Sequence, residues 1–271
     1  MEARSIDKRF SLVRLALLIR NRVLEEASIV GIGAAVAFAL NLLGILGARR
    51  AFFNGNGLWV PAIALTGLLL AAQAFKGMHD GKAGTEWILL PATPLEKYAA
   101  AFADSLILLP LAAATGAMAL SASLSLIERA VGGPGGSIWT PFHTEVLRAW
   151  ADYAVAAVVV LAGSAAFRKA ALIKTAGMAI AYSLAAGLVL SVGLFLILKG
   201  NSAFGSAAGI SIFGNMGRGF SVSGEGSKIS EGAQKAVNLV SGIAQYAVLP
   251  AFAILFGAAK VAEKESRDEV Q

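Results

Sequence analysis

From position 27 to position 48 the chain carries no charged residue. At about 1.5 Å of helical rise per residue, this run of 22 positions measures about 33 Å, enough to cross the roughly 30 Å hydrocarbon layer of a bilayer. Comparable stretches follow at about 58–75, 98–127, 151–167, 175–198 and 238–259. Hydrocarbon offers no water to an unpaired peptide group, so segments of this kind must satisfy their backbone internally, as helices do. The expected fold is therefore all-α, a polytopic membrane bundle of about six transmembrane helices over 27–259. A leader, 1–26, precedes it and a charged tail, 260–271, follows.

Composition excludes the main rivals. Hydrophobic residues make up 57% of the chain and charged ones 15%, against about 25% charged in soluble domains. A soluble α/β enzyme would interrupt its apolar runs with charge far more often. The absence of cysteine removes disulfides, thiolate metal sites and thiol nucleophiles. A net charge of +6 would suggest nucleic acid in a soluble protein, but here the cations are scattered between apolar runs rather than gathered on a polar face, so no nucleic-acid partner is expected. A cleaved signal is also disfavoured, because the leader and the apolar run are both longer than such signals use.

The cations instead set orientation. With the N-terminus in the cytoplasm, fifteen Lys and Arg fall inside: six in the leader, then Lys76, Lys82, Lys97, Arg168, Lys169, Lys174, Lys260, Lys264 and Arg267. Eight fall outside, in longer loops. Positive-inside bias thus puts both termini in the cytoplasm. Trp59, Tyr98, Trp139 and Trp150 lie near span ends, as interfacial aromatics do, while Trp87 sits in a loop. In the leader, Phe10, Val13, Leu17 and Leu24 recur at helical spacing among Arg9, Arg14, Arg20 and Arg22. The leader is expected either to lie in the headgroup plane as an amphipathic interfacial helix or to run straight into the first span.

Two outer loops stand out. The third loop holds Gly132-Gly133-Pro134-Gly135-Gly136, a turn-forming break. The fifth, Lys199 to Lys235, mixes Gly and Ser with Phe204, Ile210, Ile212, Phe213 and Met216, which predicts short re-entrant or interfacial helices before a looser stretch from Ser221 to Ser230.

Candidate chemistry is sparse. No phosphate-binding loop is present; the Gly-rich string Gly219 to Lys228 lacks the required order, so ATP is not expected on this chain and no enzymatic activity is assigned to it. His79 and His143 fall on opposite sides of the membrane and cannot share a metal. Asp104 and Asp152 are the acidic residues inside the predicted spans. Charge in lipid marks function by default, yet both lie near span ends, where Lys97 and Arg148 offer structural partners.

The second loop, Phe75 to Tyr98, is the most informative segment. Thr93 reads as an N-cap, Pro94 as the first helical residue and Glu96 as the third, a capping box with proline in its favoured place. A second inner turn, Ala166 to Thr175, repeats the aromatic-then-cation ending of Phe75-Lys76.

These turns, with the tail Lys260-Val-Ala-Glu-Lys-Glu265, resemble a family of bacterial six-helix membrane proteins related to ABC transporter permeases of the type-2 exporter kind. The resemblance rests on Phe75, Lys76, His79, Asp80, Leu90, Pro91, Ala92, Glu96 and Lys97, and on Gly163, Ser164, Phe167, Lys169, Ile173, Lys174 and Thr175. Thr93 and Tyr98 stand where the family pattern has Ser and Phe. It implies a permease subunit in the bacterial inner membrane, paired with a second copy or a paralogue and driven by a separate ATP-binding protein. The ATPase-coupling loop would include Lys76, His79, Asp80, Trp87, Leu90, Pro91, Thr93, Glu96 and Lys97. Phe167, Arg168, Lys169 and Lys174 would form a secondary cytoplasmic contact. The sparse charge in the spans favours a hydrophobic or amphipathic substrate. The rivals are a membrane anchor or sensor subunit and an intramembrane enzyme built on Asp104 and Asp152.

Overall fold

The computed structural model describes residues 10–48, 56–79, 87, 90, 92–133, 135–182, 209–210, 222–223, 239–240 and 242–268. Among them five helices are long and apolar enough to cross a membrane. We number the elements α1 (Leu12–Ala48), α2 (Asn56–Gln73), the single turn α3 (Lys76–His79), α4 (Pro94–Ala130), α5 (Thr144–Ala166), α6 (Ala171–Tyr182) and α7 (Leu249–Asp268). A two-residue antiparallel pair, β1 (Gly209–Ile210) with β2 (Val222–Ser223), lies between α6 and α7.

The leader is not a separate in-plane helix. It continues without a break into the first span, because no Gly or Pro interrupts residues 12–30 and its start is tied to α4. At 37 residues α1 is about 55 Å long, so its N-terminal third must stand clear of a 30 Å apolar layer. In the fifth loop the described residues pair as strand at Gly209–Ile210, where short helices were expected; the rest of that loop, and the predicted fifth span beyond Tyr182, lie outside the described residues.

Side-chain contacts give the directions of the helices. Ser11 and Arg14 meet Glu96, so α1 and α4 begin at the same end, here termed basal. The other helices come back to it: Arg22 bonds the carbonyl of Ala74 after α2, and Phe75, Met78, Tyr98, Ala101, Leu161, Ala165 and Val261 form one buried cluster. Helices α5 and α7 therefore both end at the basal side and run parallel. At the apical end the glycine-rich loop turns through Gly132 and Gly135, both with positive φ, and folds back over the bundle. Buried Glu128 accepts from the Gly136 N–H, and Trp139 seats beside Trp59, Ala114, Ala117 and Val146.

Two helices share a local device. In α4 a π-helical turn, Asp104–Leu108, precedes Leu109-Pro110; before α7 another, Ala244–Val248, precedes Leu249-Pro250. Proline brings no N–H and its ring crowds the carbonyl four residues back. Widening the preceding turn relieves this, with the Leu109 N–H reaching Asp104 and the Leu249 N–H reaching Ala244. The Ser105 carbonyl is thereby left without a helical donor, since Leu109 is engaged elsewhere and Pro110 has none. The Tyr153 hydroxyl on α5 supplies it at 2.7 Å. Gly67 on α2 leaves room for that ring, as any Cβ there would collide with the Tyr153 hydroxyl.

Candidate functional site

The basal end is built outward from the capping box. Thr93 Oγ1 accepts from the Glu96 N–H at 3.2 Å, and the Glu96 carboxylate accepts from the Thr93 N–H at 2.8 Å. The same carboxylate, fully buried, also accepts from the Ser11 N–H and from Arg14 Nη2 at 3.2 Å. Next in sequence, Lys97 turns back: its Nζ donates to the Trp87 carbonyl at 2.8 Å and lies 4.2 Å from the centre of the Trp87 ring. Tyr98 stacks on Phe75, with ring centres 5.8 Å apart, and lies over Gly257 of α7, where a Cβ would strike the ring.

Two residues of the expected coupling loop, Glu96 and Lys97, are thus buried. Glu96 and Lys97 are spent holding α1, Trp87 and α4 together, while Leu90 and Leu95 remain exposed. Lys76 is exposed, and His79 contacts the Ser164 carbonyl at 3.1 Å through Nε2, joining the two basal turns. Asp80 and Pro91 lie outside the described residues.

The second turn packs on itself. Gly163 of α5 meets Thr175 of α6 so closely that a Cβ would fall 1.8 Å from Thr175 Oγ1. Lys174 Nζ sits 5.5 Å from the Phe167 ring centre, and Arg168 and Lys169 are exposed. Ala170 adopts a φ of 54°, the left-handed region that turns the chain sharply between α5 and α6. Beside this turn opens a cleft of about 500 Å³, lined by residues of α2, α3, α5 and α6.

Deeper in the bundle is a charged cluster that sequence reading identified only in part. Arg22 Nη2 donates to the Ala74 carbonyl at 2.7 Å, and its guanidinium sits 5.7 Å from the Phe75 ring centre. Glu26 and Asp104 lie within electrostatic reach of one another and of Arg22. Asp104 Oδ2 and Glu26 Oε2 are buried without a hydrogen-bond partner. The expected partner of Asp104, Lys97, is instead held by Trp87. Asp152, expected beside Arg148, accepts from the Tyr246 hydroxyl. Glu26 escaped notice because it falls one residue before the first uncharged run; its i, i+4 spacing from Arg22 was the available signal. Ser11 and Arg14 gave no such signal, being more than 80 residues from Glu96.

Comparison with known protein families, with curated proteins and with solved structures finds no match.

Proposed function

We propose that this chain is the membrane-embedded subunit of a transporter driven by a separate cytoplasmic ATPase, with six crossings, both termini cytoplasmic and a second copy or paralogue completing the pathway. Direction supports the six crossings: α5 and α7 both run toward the basal end, which leaves room for one return crossing between them, and α6 starts from the basal turn. Fifteen of the 23 cations then fall on the basal, cytoplasmic side under the charge rule.

The observation that carries the reading is convergence. The three stretches that resemble the permease family, around 75–98, 163–175 and 260–265, are far apart in sequence yet lock together at one end of the bundle. An ATPase bound there would push on a platform tied together by these contacts. Force applied at exposed Leu90 and Leu95 enters α4 directly and passes through Glu96 to α1. Through the Tyr98–Phe75 stack and Val261 it reaches α2 and α7. Glu96, Lys97 and Trp87 serve as braces in this reading, and the docking contact itself falls to the exposed leucines. The lipid-like exposure of large apolar side chains along α1 and α7, Ile32, Val36, Leu43, Phe252 and Leu255 among them, leaves both helices free to meet a second subunit or the substrate.

A photo-crosslinking residue placed at Leu95 in native membranes should capture an ATP-binding protein, and one at Phe142, exposed at the apical end, should not. Capture of no ATP-binding protein from either Leu90 or Leu95 would remove the coupling assignment.

A further inference from the structure

We infer that the cleft beside the α5–α6 turn is a binding site for one anionic membrane lipid, held by its phosphate. The cleft measures about 500 Å³, within the roughly 300–1,000 Å³ usual for small-ligand pockets. Its lining divides by chemistry. Leu69 and Ala72 of α2 and Leu172 and Ile173 of α6 make an apolar wall, and Lys76, Arg168 and Lys169 bring three cations from two separate turns. No carboxylate among the described residues lines it or pairs with these three cations. His79 also borders the space, but its Nε2 is engaged by the Ser164 carbonyl, so the phosphate falls to Lys76, Arg168 and Lys169.

Position selects a lipid over a free anion. The cleft lies where α2 and α5 end, at the depth of a headgroup layer if those helices cross a bilayer, and Ile173 on its wall is 74% exposed. A free phosphate would gain nothing from the apolar wall, whereas a phospholipid places its acyl chain along α2 and α6 and its phosphate among the cations. Arginine can grip phosphate oxygens bidentately, and lysine adds point charge. Cations near an anionic surface contribute about 1 kcal/mol each, so loss of two should weaken retention about thirtyfold. This assignment does not depend on the transporter reading; it needs only the membrane location.

The test uses the full chain purified in a neutral detergent and examined by native mass spectrometry with added phosphatidylglycerol or phosphatidylcholine. Wild type should retain one phosphatidylglycerol per chain in preference to phosphatidylcholine, a comparison that needs no variant. Arg168→Ala with Lys169→Ala should lower that retention about thirtyfold, and Arg148→Ala at the apical end should not change it. Equal retention of the two lipids, or undiminished retention by the double variant, would overturn the site. Release of the bound lipid by millimolar inorganic phosphate would also overturn it as a lipid site, since the wall would then add nothing.

Discussion

Glu96 and Tyr98 are both buried polar residues two positions apart, and they should respond to substitution in opposite directions. The Glu96 carboxylate receives three donors, so Glu96→Ala strands the Thr93 and Ser11 N–H groups and the Arg14 guanidinium together. A loss of about 2–3 kcal/mol is expected, with the start of α1 becoming open to protease. The Tyr98 hydroxyl is buried without a partner. Tyr98→Phe keeps the stack on Phe75 and removes an unsatisfied group, so it should raise the melting midpoint in detergent, by about 1 kcal/mol in stability; a lowered midpoint would mean the hydroxyl has a partner. The charged cluster gives a third contrast. Arg22→Ala leaves Glu26 and Asp104 facing each other without their cation and should cost about 3–5 kcal/mol. Asp104→Asn removes one of the two like groups and offers Glu26 an amide donor, so its melting midpoint should stay far closer to wild type. Equal losses in the two variants would show that the carboxyls do not act as a pair around Arg22. The capping box was legible in the sequence because its members sit within one turn. Arg14 and Ser11 were not, since only packing of α1 beside α4 brings them there.

At the scale of the helix, the π-helical turn in α4 explains why a tyrosine on another helix is needed. The Ser105 carbonyl loses its donor through Pro110, and Tyr153 replaces it. Tyr153→Phe alone should therefore cost about 1–3 kcal/mol, the price of an unpaired buried carbonyl. In a Pro110→Ala background residue 110 regains an N–H, the turn can relax toward α-helix, and the same substitution should cost appreciably less. Additive losses in this double-mutant cycle would separate the tyrosine from the proline. The positions of the five described spans were readable, because uncharged length is a one-dimensional property. Their starts were read unequally: the capping box gave the start of α4 at Pro94, whereas the leader allowed either a separate in-plane helix or a continuous one, and its ties to α4 run the first helix from Leu12. The paired Leu-Pro steps were visible in the sequence, but the widened turns before them depend on a carbonyl finding a donor across the bundle.

For the molecule as a whole, the basal convergence of α1, α4 and α7 places both described ends of the chain on one face, a geometric property separate from the charge count that assigns that face to the cytoplasm. The two can be tested apart, because the chain has no native cysteine and single cysteines report unambiguously. Leu12 near the start of α1 and Ser266 near the end of α7 are exposed at the basal end, and Phe142 is exposed at the apical end. In intact cells a membrane-impermeant thiol reagent should react with Phe142→Cys and spare Leu12→Cys and Ser266→Cys; in inverted vesicles the pattern should exchange. If positions 12 and 266 were labelled together from outside, the bundle would stand and the positive-inside assignment would fail, taking the cytoplasmic ATPase with it. If positions 12 and 266 were labelled from opposite sides, α1, tied to Glu96, and α7, packed on Tyr98, could not both meet the basal end of α4, and the six-crossing arrangement would fail with it.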